Sequence, residues 1–311
     1  MVKQFDKQKT GDFGRAARHF LKRTFGKNKG TIMFNTLLYL IFLVITVVML
    51  YPFLYVVVKS LQTRELIGGE SQIVLTFAAY GTVLDDNSYI TAFVTTIVVL
   101  VVKVILALLV SFMIAYPLSK HYFKGRKAYL VFLMVTMLFS GGMIPNYILI
   151  TQVLKWRNSY LVYIFPGLIG AYNVFVIKSF LQGIPDSLEE AALLDGANPF
   201  VILFFIYVPL SGPIMATIGL WVGVSVMNNW MSGVLYITDE NKRLIQNLLR
   251  DILLTASSTD VGGWGGDSEL MAMAENVKMA SIVIGILPIV LMYPFVQKYF
   301  IKGMLVGSVK G

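Results

Sequence analysis

The sequence predicts an all-α, polytopic membrane protein with six transmembrane helices. Of its 311 residues, 57% are hydrophobic and only 14% are charged, which is too little polar surface to cover a water-soluble globule. A helix needs about 20 apolar residues to cross the hydrocarbon core of a bilayer. Six stretches meet that requirement: 35–58, 91–118, 128–152, 160–181, 209–231 and 277–300.

The distribution of basic residues predicts that both termini are cytoplasmic. With the N-terminus inside, the inner segments hold 17 of the 26 lysine and arginine residues and the outer loops hold 8. Cytoplasmic loops carry this excess in membrane proteins. Residues 1–30 are predicted to form a basic cytoplasmic segment and residues 31–311 the membrane domain. About thirty polar residues precede the first apolar stretch, so we expect no cleavable signal peptide.

Residues 13–24 of the N-terminal segment have apolar residues at helical spacing and basic residues mostly on the opposite side. This pattern predicts an amphipathic helix on the inner leaflet, where its cations would lie near anionic lipid head groups. A disordered basic tail is the alternative.

Features within the first two spans predict local irregularities. Pro52, near the end of the first span, removes one backbone hydrogen bond and favours a kink. Gly68 and Gly69 predict a turn in the outer loop that follows. Lys103 lies near the middle of the second span, and no span carries a carboxylate to pair with it. Its side chain is expected either to line a water-filled path, or to snorkel towards polar surroundings or pack against backbone carbonyl groups.

The third and fourth spans are the least regular of the six, because Pro145 with Asn146 and Gln152 with Lys155 interrupt or end them. In the sixth span, Pro288 and Pro294 each predict a bend.

Residues 185–209 form a polar island between the fourth and fifth spans, and they predict two short helices joined at a glycine. Ser187 and Glu190 have the spacing of a capping box, so the first helix should begin there. Gly196 should end it, because glycine adopts the left-handed cap conformation at the lowest cost. Asn198 and Pro199 fit the cap and the first residue of the second helix.

The spacing within this loop resembles the EAA loop of ABC-importer permeases, whose pattern is EAA, three residues, G, nine residues, I, one residue, L and P. The corresponding positions here are Glu190, Ala191, Ala192, Gly196, Ile206, Val208 and Pro209. Val208 replaces the usual leucine with a side chain of similar volume.

Other segments resemble the carbohydrate permeases of the maltose type, and within them the branch found beside lipoprotein-type binding proteins for complex oligosaccharides. These segments are 115–119 with the following Gly125 and Arg126, then 139–145, and the C-terminal stretch 302–311. The resemblance covers nearly the whole chain from about residue 35. It implies the type I ABC importer permease fold and the bacterial cytoplasmic membrane as the location.

The resemblance also implies an assembly. A second, homologous permease, two nucleotide-binding ATPase subunits and an extracytoplasmic binding protein would complete an importer that carries an intact oligosaccharide across the membrane lipid. The chain has no phosphate-binding loop of the GxxxxGK[ST] type, so ATP and magnesium would be used by the ATPase partner and this chain would hold no cofactor.

Residues of the loop are expected to couple ATP hydrolysis to transport. Glu190, with Glu189 and Asp195, would form charge-assisted hydrogen bonds to basic groups on the ATPase. A capping role for Glu190 is the alternative, and both can hold. The expected coupling set is Glu189, Glu190, Ala191, Ala192, Asp195, Gly196 and Pro209, in which the alanines allow close approach, Gly196 forms the elbow and Pro209 fixes the entry into the fifth span.

Amide and aromatic side chains near two spans are candidates for the substrate path. Amides bond sugar hydroxyls in both directions, and aromatic rings cover the apolar face of a sugar. Interfacial anchoring and contacts between helices are the alternative roles. The candidates are Tyr172 and Asn173 in the fourth span and Asn228, Asn229 and Trp230 at the end of the fifth, which also holds Trp221.

The longest outer loop, residues 236–276, predicts a helix from Asn241 to Leu254 and then a flexible stretch, 257–266. That stretch would either meet the binding protein or form a mobile loop.

Composition and missing motifs weigh against other functions. There are no cysteines, and His19 and His121 lie far apart, so neither a disulfide framework nor a metal site is expected. The net charge of +9 follows the membrane topology and does not indicate a nucleic-acid surface. A stand-alone secondary transporter or channel would need ion-coupling carboxylates within the spans. A membrane-embedded enzyme would need a catalytic constellation, which the sequence lacks.

Overall fold

The computed structural model describes residues 29–67, 70–262 and 275–288, together with residues 290, 291, 293, 294 and 297. The predicted amphipathic helix at 13–24 and the C-terminal stretch 302–311 lie outside these residues. The described chain is mainly helical and divides into two units, one ending at Val58 and the other beginning at Lys59.

Helix α1, Lys29–Leu61, contains the first predicted span and continues through Pro52. Nearly all its large apolar side chains from Met33 onward are exposed, and its segment Ile32–Leu61 has a mean hydropathy of 2.7. A long apolar helix with such a surface fits a lipid environment.

A two-stranded antiparallel hairpin follows α1, and the all-α prediction missed it. Strand β1, Gln62–Ile67, pairs with β2, Glu70–Leu75, in a register that joins Gln62 to Leu75 and Ile67 to Glu70. The pairing leaves two residues to connect the strands, the length typical of a tight hairpin turn. The predicted turn residues, Gly68 and Gly69, are themselves outside the described residues.

The second unit is built on α3, the longest helix in the described part of that unit. The remaining helices are α2 (Ala78–Asp85), α3 (Asn87–Ser119), α4 (Arg126–Leu138), α5 (Met143–Val153), α6 (Leu161–Ile164), α7 (Ala171–Leu181), α8 (Ser187–Leu194), α9 (Pro199–Leu210), α10 (Gly212–Met227), α11 (Met231–Tyr236), α12 (Ile245–Gly262) and α13 (275–288), with a 3₁₀ turn at Glu240–Lys242. Helices α7 and α10 both pack against α3.

Two described helices, Ile32–Leu61 and Asn87–Ser119, are long and apolar enough to cross a membrane unbroken. Two further spans exist if each of two bent pairs counts as one: α4 with α5, bent by 105°, and α9 with α10, bent by 84°.

The predicted third and fourth spans are each broken rather than continuous. The third breaks between Leu138 and Met143, where Gly142 has φ +81°. Pro145 does not cause this break, since it lies in the first turn of α5, where a missing backbone N–H has no helical partner to lose. The fourth breaks between α6 and α7, where Gly167 has φ +70°.

Lys103 donates hydrogen bonds to the backbone carbonyls at the second of these breaks, between α6 and α7. Its ammonium group donates hydrogen bonds to the backbone carbonyls of Tyr163, at 2.8 Å, and Pro166, at 3.0 Å. The residue is only 6% exposed. A helix break at membrane depth leaves carbonyls without intrahelical partners, and a side chain from a neighbouring helix can supply the donors. The second of the two expected roles for Lys103, packing against carbonyls, is therefore confirmed.

Buried apolar side chains form two clusters along α3. One surrounds its N-terminal half and includes Leu244 just before α12, Ile245 in α12 and Ala280 in α13. The other surrounds its C-terminal half and includes Val174, Ile177 and Ile218 from α7 and α10. Helix α12 begins later than expected and extends to Gly262, so residues 257–262 are helical and not part of a loop, while residues 263–266 lie outside the described residues.

Candidate functional site

The polar island after α7 folds into two helices joined at Gly196, as predicted. Gly196 has φ +78° and follows α8. The amide of Ala197 donates to the carbonyl of Ala192 at 2.9 Å, and the amide of Gly196 donates to Leu193 at 3.0 Å. This pair of bonds is the Schellman motif, which favours glycine at this position. No neighbouring atom lies within 4 Å of a Cβ placed on Gly196, so its backbone angle alone selects glycine.

The start of the second loop helix is also confirmed. Pro199 is the first residue of α9, and the side-chain oxygen of Asn198 accepts from the amide of Val201 at 2.9 Å. The middle of α9, Ile202–Tyr207, is wound as a π-helix. The helix ends at Leu210, one residue before the 84° bend into α10, so Pro209 lies in its last turn next to that bend.

The predicted capping box at the start of α8 is not formed. The helix begins one residue earlier than expected, with Asp186 as its N-cap and no side-chain cap hydrogen bond. The amides of Glu189 and Glu190 both donate to the backbone carbonyl of Asp186, each at 3.0 Å. Ser187 is therefore already inside the helix, where its hydroxyl cannot serve as the cap.

Glu189 is buried in a polar cluster, which we call the Glu189 junction and define as Glu189, Lys120, Tyr116, Tyr122 and Tyr207. The Glu189 Oε1 atom accepts from Tyr116 at 2.9 Å and from Tyr122 at 2.8 Å. The Oε2 atom accepts from Tyr207 at 2.9 Å and forms an ion pair with Lys120. A carboxylate has about four acceptor sites, and here all four are used.

The Lys120 ammonium group is satisfied to the same degree. It contacts the Glu189 carboxylate, donates to the Tyr207 hydroxyl and lies 3.4 Å from Asp186 Oδ1, which matches its three donor hydrogens. Its nitrogen is also 4.6 Å from the centre of the Tyr207 ring. An ion pair can be kept away from water only if the remaining hydrogen-bonding capacity of both ions is filled, and this pair meets that condition.

The junction connects three parts of the chain that are distant in sequence. Tyr116 lies in the last turn of α3, and Lys120 is the residue that ends it. Glu189 belongs to α8 and Tyr207 to α9. The same end of α3 is bound by two further side chains: Arg126 donates to the Leu118 carbonyl at 2.8 Å, and Gln182 donates to the Ser119 carbonyl at 3.3 Å.

The environment keeps both ions charged. Burial alone would raise the pKa of the Glu189 carboxyl, but the hydrogen bonds from Lys120 and the three tyrosines lower it below its usual value. Burial alone would lower the pKa of Lys120, but its bonds to Glu189 and Tyr207 raise it above its usual value. Partial burial of its hydroxyl end and the bond to Glu189 raise the pKa of Tyr122, although the residue as a whole is 70% exposed, and it therefore remains a hydroxyl donor.

This geometry corrects one expectation for the loop. Glu189 was expected to reach a partner together with Glu190 and Asp195, but Glu189 is only 4% exposed and its carboxylate is fully used within the chain. Glu190 is exposed, because successive helical residues point about 100° apart, and Asp195, the residue that ends α8, is also exposed. The role of Lys120 was missed, since its sequence context shows only a basic loop.

The loop has exposed apolar side chains as well as the exposed Glu190. Leu194 is 90% exposed, Phe200 63% and Phe205 77%. Ala191 is exposed and Ala192 is half-buried. Exposed apolar side chains grouped beside polar ones are typical of a protein interaction surface.

The two groups of predicted substrate-path residues have different surroundings. Tyr172 is exposed at the start of α7, and its ring lies 5.5 Å from that of Trp221 in α10. Asn173 is half-buried beside Gly170. The structure thus pairs Tyr172 with an aromatic residue 49 positions later in the chain.

The residues at the end of α10 have structural partners. Asn229 Oδ1 accepts from the amide of Ser232 at 3.2 Å. The Trp230 ring faces the Arg250 guanidinium at 5.0 Å, and its carbonyl accepts from Asn247 at 2.7 Å. Asn228 ends α10 and is exposed. Within the described ranges, no group of three or more histidine, cysteine, aspartate or glutamate residues could hold a metal ion.

Residues 107–306 match the model of a family described as the binding-protein-dependent transport system inner membrane component. The polygalacturonan/rhamnogalacturonan transport system permease protein YtcP of Bacillus subtilis (strain 168) is 37% identical over 288 residues, covering 90% of this chain and 99% of that protein. Protein LplC of the same organism is 35% identical over 266 residues, covering 84% and 89%.

Two chains of solved structures are also similar to this chain. One chain in the crystal structure of a bacterial ABC transporter involved in the import of the acidic polysaccharide alginate matches with a TM-score of 0.72 and 29% identity, covering 88% of this chain and 99% of that chain. A chain in the alginate transporter complexed with an alginate pentasaccharide-bound periplasmic protein matches with a TM-score of 0.53 and 15% identity, covering 86% and 94%, which is a likeness of fold.

Proposed function

This chain belongs to the family of binding-protein-dependent transport system inner membrane components, and on that premise we propose that it is the permease subunit of an ATP-driven importer of oligosaccharides. The observation that carries the proposal is the folded loop after α7. It places two short helices, joined by the left-handed Gly196, next to an outward surface of mixed polar and apolar side chains.

The loop surface is proposed to bind a separate ATPase subunit on the cytoplasmic side. Glu190 and Asp195 would supply charge-assisted hydrogen bonds, and Leu194 with Phe200 would enter an apolar groove. Gly196 would preserve the angle between the two helices, and Pro209 would set how α9 leads into the bend before α10. ATP and magnesium would be bound by that partner.

The complete importer is proposed to contain a second permease, two ATPase copies and an extracytoplasmic binding protein. The relative in B. subtilis is named as a transport system permease, and the second alginate transporter structure is a complex with a periplasmic protein. Six membrane crossings with cytoplasmic termini would put the loop at 185–209 and the segment at 120–127 on the same, inner side.

The cargo is proposed to be an oligosaccharide, with uronic-acid oligomers the first to test. The names of the matched proteins refer to polygalacturonan, rhamnogalacturonan and alginate, which are acidic polysaccharides or contain acidic sugars.

The stripe of α10 that carries Trp221, Ser225 and Asn228 is proposed to line the sugar path. These residues have helical spacing and are exposed, whereas Ile218, Val222 and Val226 are buried. An aromatic residue, a hydroxyl and an amide on one stripe suit a sugar better than lipid chains. Tyr172 extends the aromatic part of this surface, and Asn173 adds an amide one residue further along α7.

Purification of the tagged chain from its native membrane tests the function. We expect an ATPase and a second permease to co-purify, and we expect ATP hydrolysis in proteoliposomes to rise when the co-encoded binding protein and a polygalacturonan digest are added. A chain that purifies alone and transports without ATP would instead be a secondary transporter or channel. The intramembrane cation Lys103 gives no support to that alternative, since it is bound by two carbonyls.

A further inference from the structure

We infer that the Glu189 junction makes α8 and the cytoplasmic end of α3 move as one body, so that Glu189 and Lys120 are positioning residues for energy coupling. The inference rests on the proposed function, since it concerns how force applied to the loop would reach a membrane span. It assigns to Glu189 a role within the chain, whereas Glu190 is proposed to contact the ATPase subunit.

The first argument concerns the number of connections at one carboxylate. Glu189 receives hydrogen bonds from Tyr116 and Tyr122 on one oxygen and from Tyr207 on the other, at 2.8–2.9 Å. These bonds join α8 to the end of α3, to the segment after α3 and to α9. A displacement of α8 alone would break several of them at once.

The second argument concerns burial. The Lys120 and Glu189 side chains are 6% and 5% exposed, so the ion pair is shielded from water while the helices are packed together. Separating buried opposite charges without solvent is much more costly than separating exposed ones. The exposed contact between Lys120 and Asp186, whose side chain is 78% exposed, adds little by comparison.

The third argument concerns the direction in which α8 faces. Because Glu189 points into the protein interior, the rotation of α8 about its axis is fixed, and Glu190 and Leu194 are exposed at the protein surface. The Tyr116 and Tyr207 rings, 5.2 Å apart, pack beside the ion pair and restrict sliding between α3 and α9. The junction therefore both orients the loop and attaches it to α3.

Distance measurement between two spin labels tests this directly. The chain has no cysteines, so single cysteines can be introduced without background from it. We would label exposed Ser187 in α8 and exposed Ile105 in α3, in the complete complex with partner cysteines replaced. With the native junction, we expect the same distance distribution without nucleotide and with ATP trapped by vanadate.

The Lys120→Met variant should add a second distance population in the ATP-trapped state, with a loss in sugar imported per ATP hydrolysed. Lys124→Met is the matched control, because Lys124 is an exposed lysine in the same segment. Lys120→Met combined with Glu189→Met should restore part of the coupling, since neither charge is then left unpaired in the interior.

Two results would overturn the inference. One is a native distance that itself changes with nucleotide, and the other is a single, unchanged distance in assembled Lys120→Met complex. If Lys120→Met does not assemble, the same measurement on Tyr207→Phe and Tyr122→Phe decides, with Tyr129→Phe as the control. Failure of the proposed function would be visible separately, because no ATPase would co-purify with the native chain.

Discussion

Lys120 and Glu189 form an ion pair in which both side chains are almost completely buried, at 6% and 5% exposure. Lys120 ends α3 and Glu189 lies in α8, 69 residues later. Every hydrogen-bonding position of the two ions has a partner within the described chain. The charged states of these two groups therefore affect the stability of the fold.

This pair predicts a loss of stability in acid. The pKa of Glu189 is lowered in the folded chain, so its contribution is present above the unfolded pKa, about pH 4, and is lost as the pH falls through the folded value. The pKa of Lys120 is raised, so its contribution is lost only as the pH rises through that high value. The groups that face the pair are Asp186, Tyr116, Tyr122 and Tyr207.

We would record the melting temperature of the detergent-solubilised protein from about pH 7 to about pH 3. The native protein should lose stability below about pH 4, and the Lys120→Met, Glu189→Met double variant should lose less over the same interval. Parallel curves for the two proteins would show that other carboxylates control the acid limb.

Glu190 gives a prediction that separates it from its neighbour. Glu190→Lys should leave the chain in the membrane at the native melting temperature, because the side chain is exposed, but should reduce transport and ATPase retention. Glu240→Lys is the matched control, since it reverses an exposed glutamate on the opposite side of the predicted topology. Native uptake in Glu190→Lys membranes would count against the proposed docking surface.

The sequence predicted two local features of this loop correctly, missed a third because the capping box of Ser187 and Glu190 is not formed, and predicted the packing only in part. The Gly196 turn and the Asn198 cap follow from short-range preferences, and both were found. Glu189 and Glu190 are equivalent at that level. Which one turns inward is decided by Lys120 and the tyrosines, whose proximity depends on tertiary structure.

The same distinction applies to the fold. Family and carbohydrate-permease resemblance were confirmed by the comparisons, and the helical character of the long apolar stretches was found. Irregular third and fourth spans were expected, with Pro145 and Asn146 among the interrupting residues, but the positions of the breaks at Gly142 and Gly167 were missed because a glycine within an apolar run is also compatible with a continuous helix. The hairpin was missed because its strands are only six residues long and contain many polar residues that are uncommon in strands.

Gly196 predicts an effect of backbone conformation without any steric clash. Gly196→Ala should destabilise the loop by about 1–2 kcal/mol, since φ is +78° and L-residues with a Cβ disfavour that region. Gly196→Asn should cost less, because asparagine tolerates the left-handed conformation better. The aspartate variant Gly196→Asp should remain in the membrane but transport less.

Hydrogen exchange of the α8 and α9 amides would measure these effects, with a smaller loss of protection for the asparagine variant than for the alanine variant. Gly81→Ala provides a control, because Gly81 lies in α2, lacks a positive φ and also has no neighbouring atom within 4 Å of a Cβ placed on it. Equal protection in Gly196→Ala and the native chain would mean that the loop does not depend on the left-handed turn.

Lys103 predicts a stability effect inside the membrane domain. Lys103→Met removes both donors to the carbonyls of Tyr163 and Pro166, leaving those acceptors unsatisfied at the break between α6 and α7. Loss of these bonds should cost about 1–3 kcal/mol and lower the melting temperature. Lys155→Met, at an exposed position, should leave the melting temperature unchanged. A native melting temperature for Lys103→Met would show that the break is stable without it.

Trp221 predicts a change in transport with little change in stability. Trp221 is 39% exposed, lies on the stripe that also carries Ser225 and Asn228, and has its ring centre 5.5 Å from that of Tyr172. If this stripe contacts sugar, Trp221→Ala removes a stacking surface and Trp221→Phe retains much of it. Uptake of a labelled polygalacturonan digest should therefore fall most in Trp221→Ala, less in Trp221→Phe, and not at all in Phe139→Ala, which changes an exposed aromatic residue between α4 and α5.

The ATPase rate without sugar should stay native in all three, because the stripe lies on α10 and not in the 185–209 loop. Equal uptake by Trp221→Ala and the native protein would instead assign the exposed stripe to lipid or to the second permease.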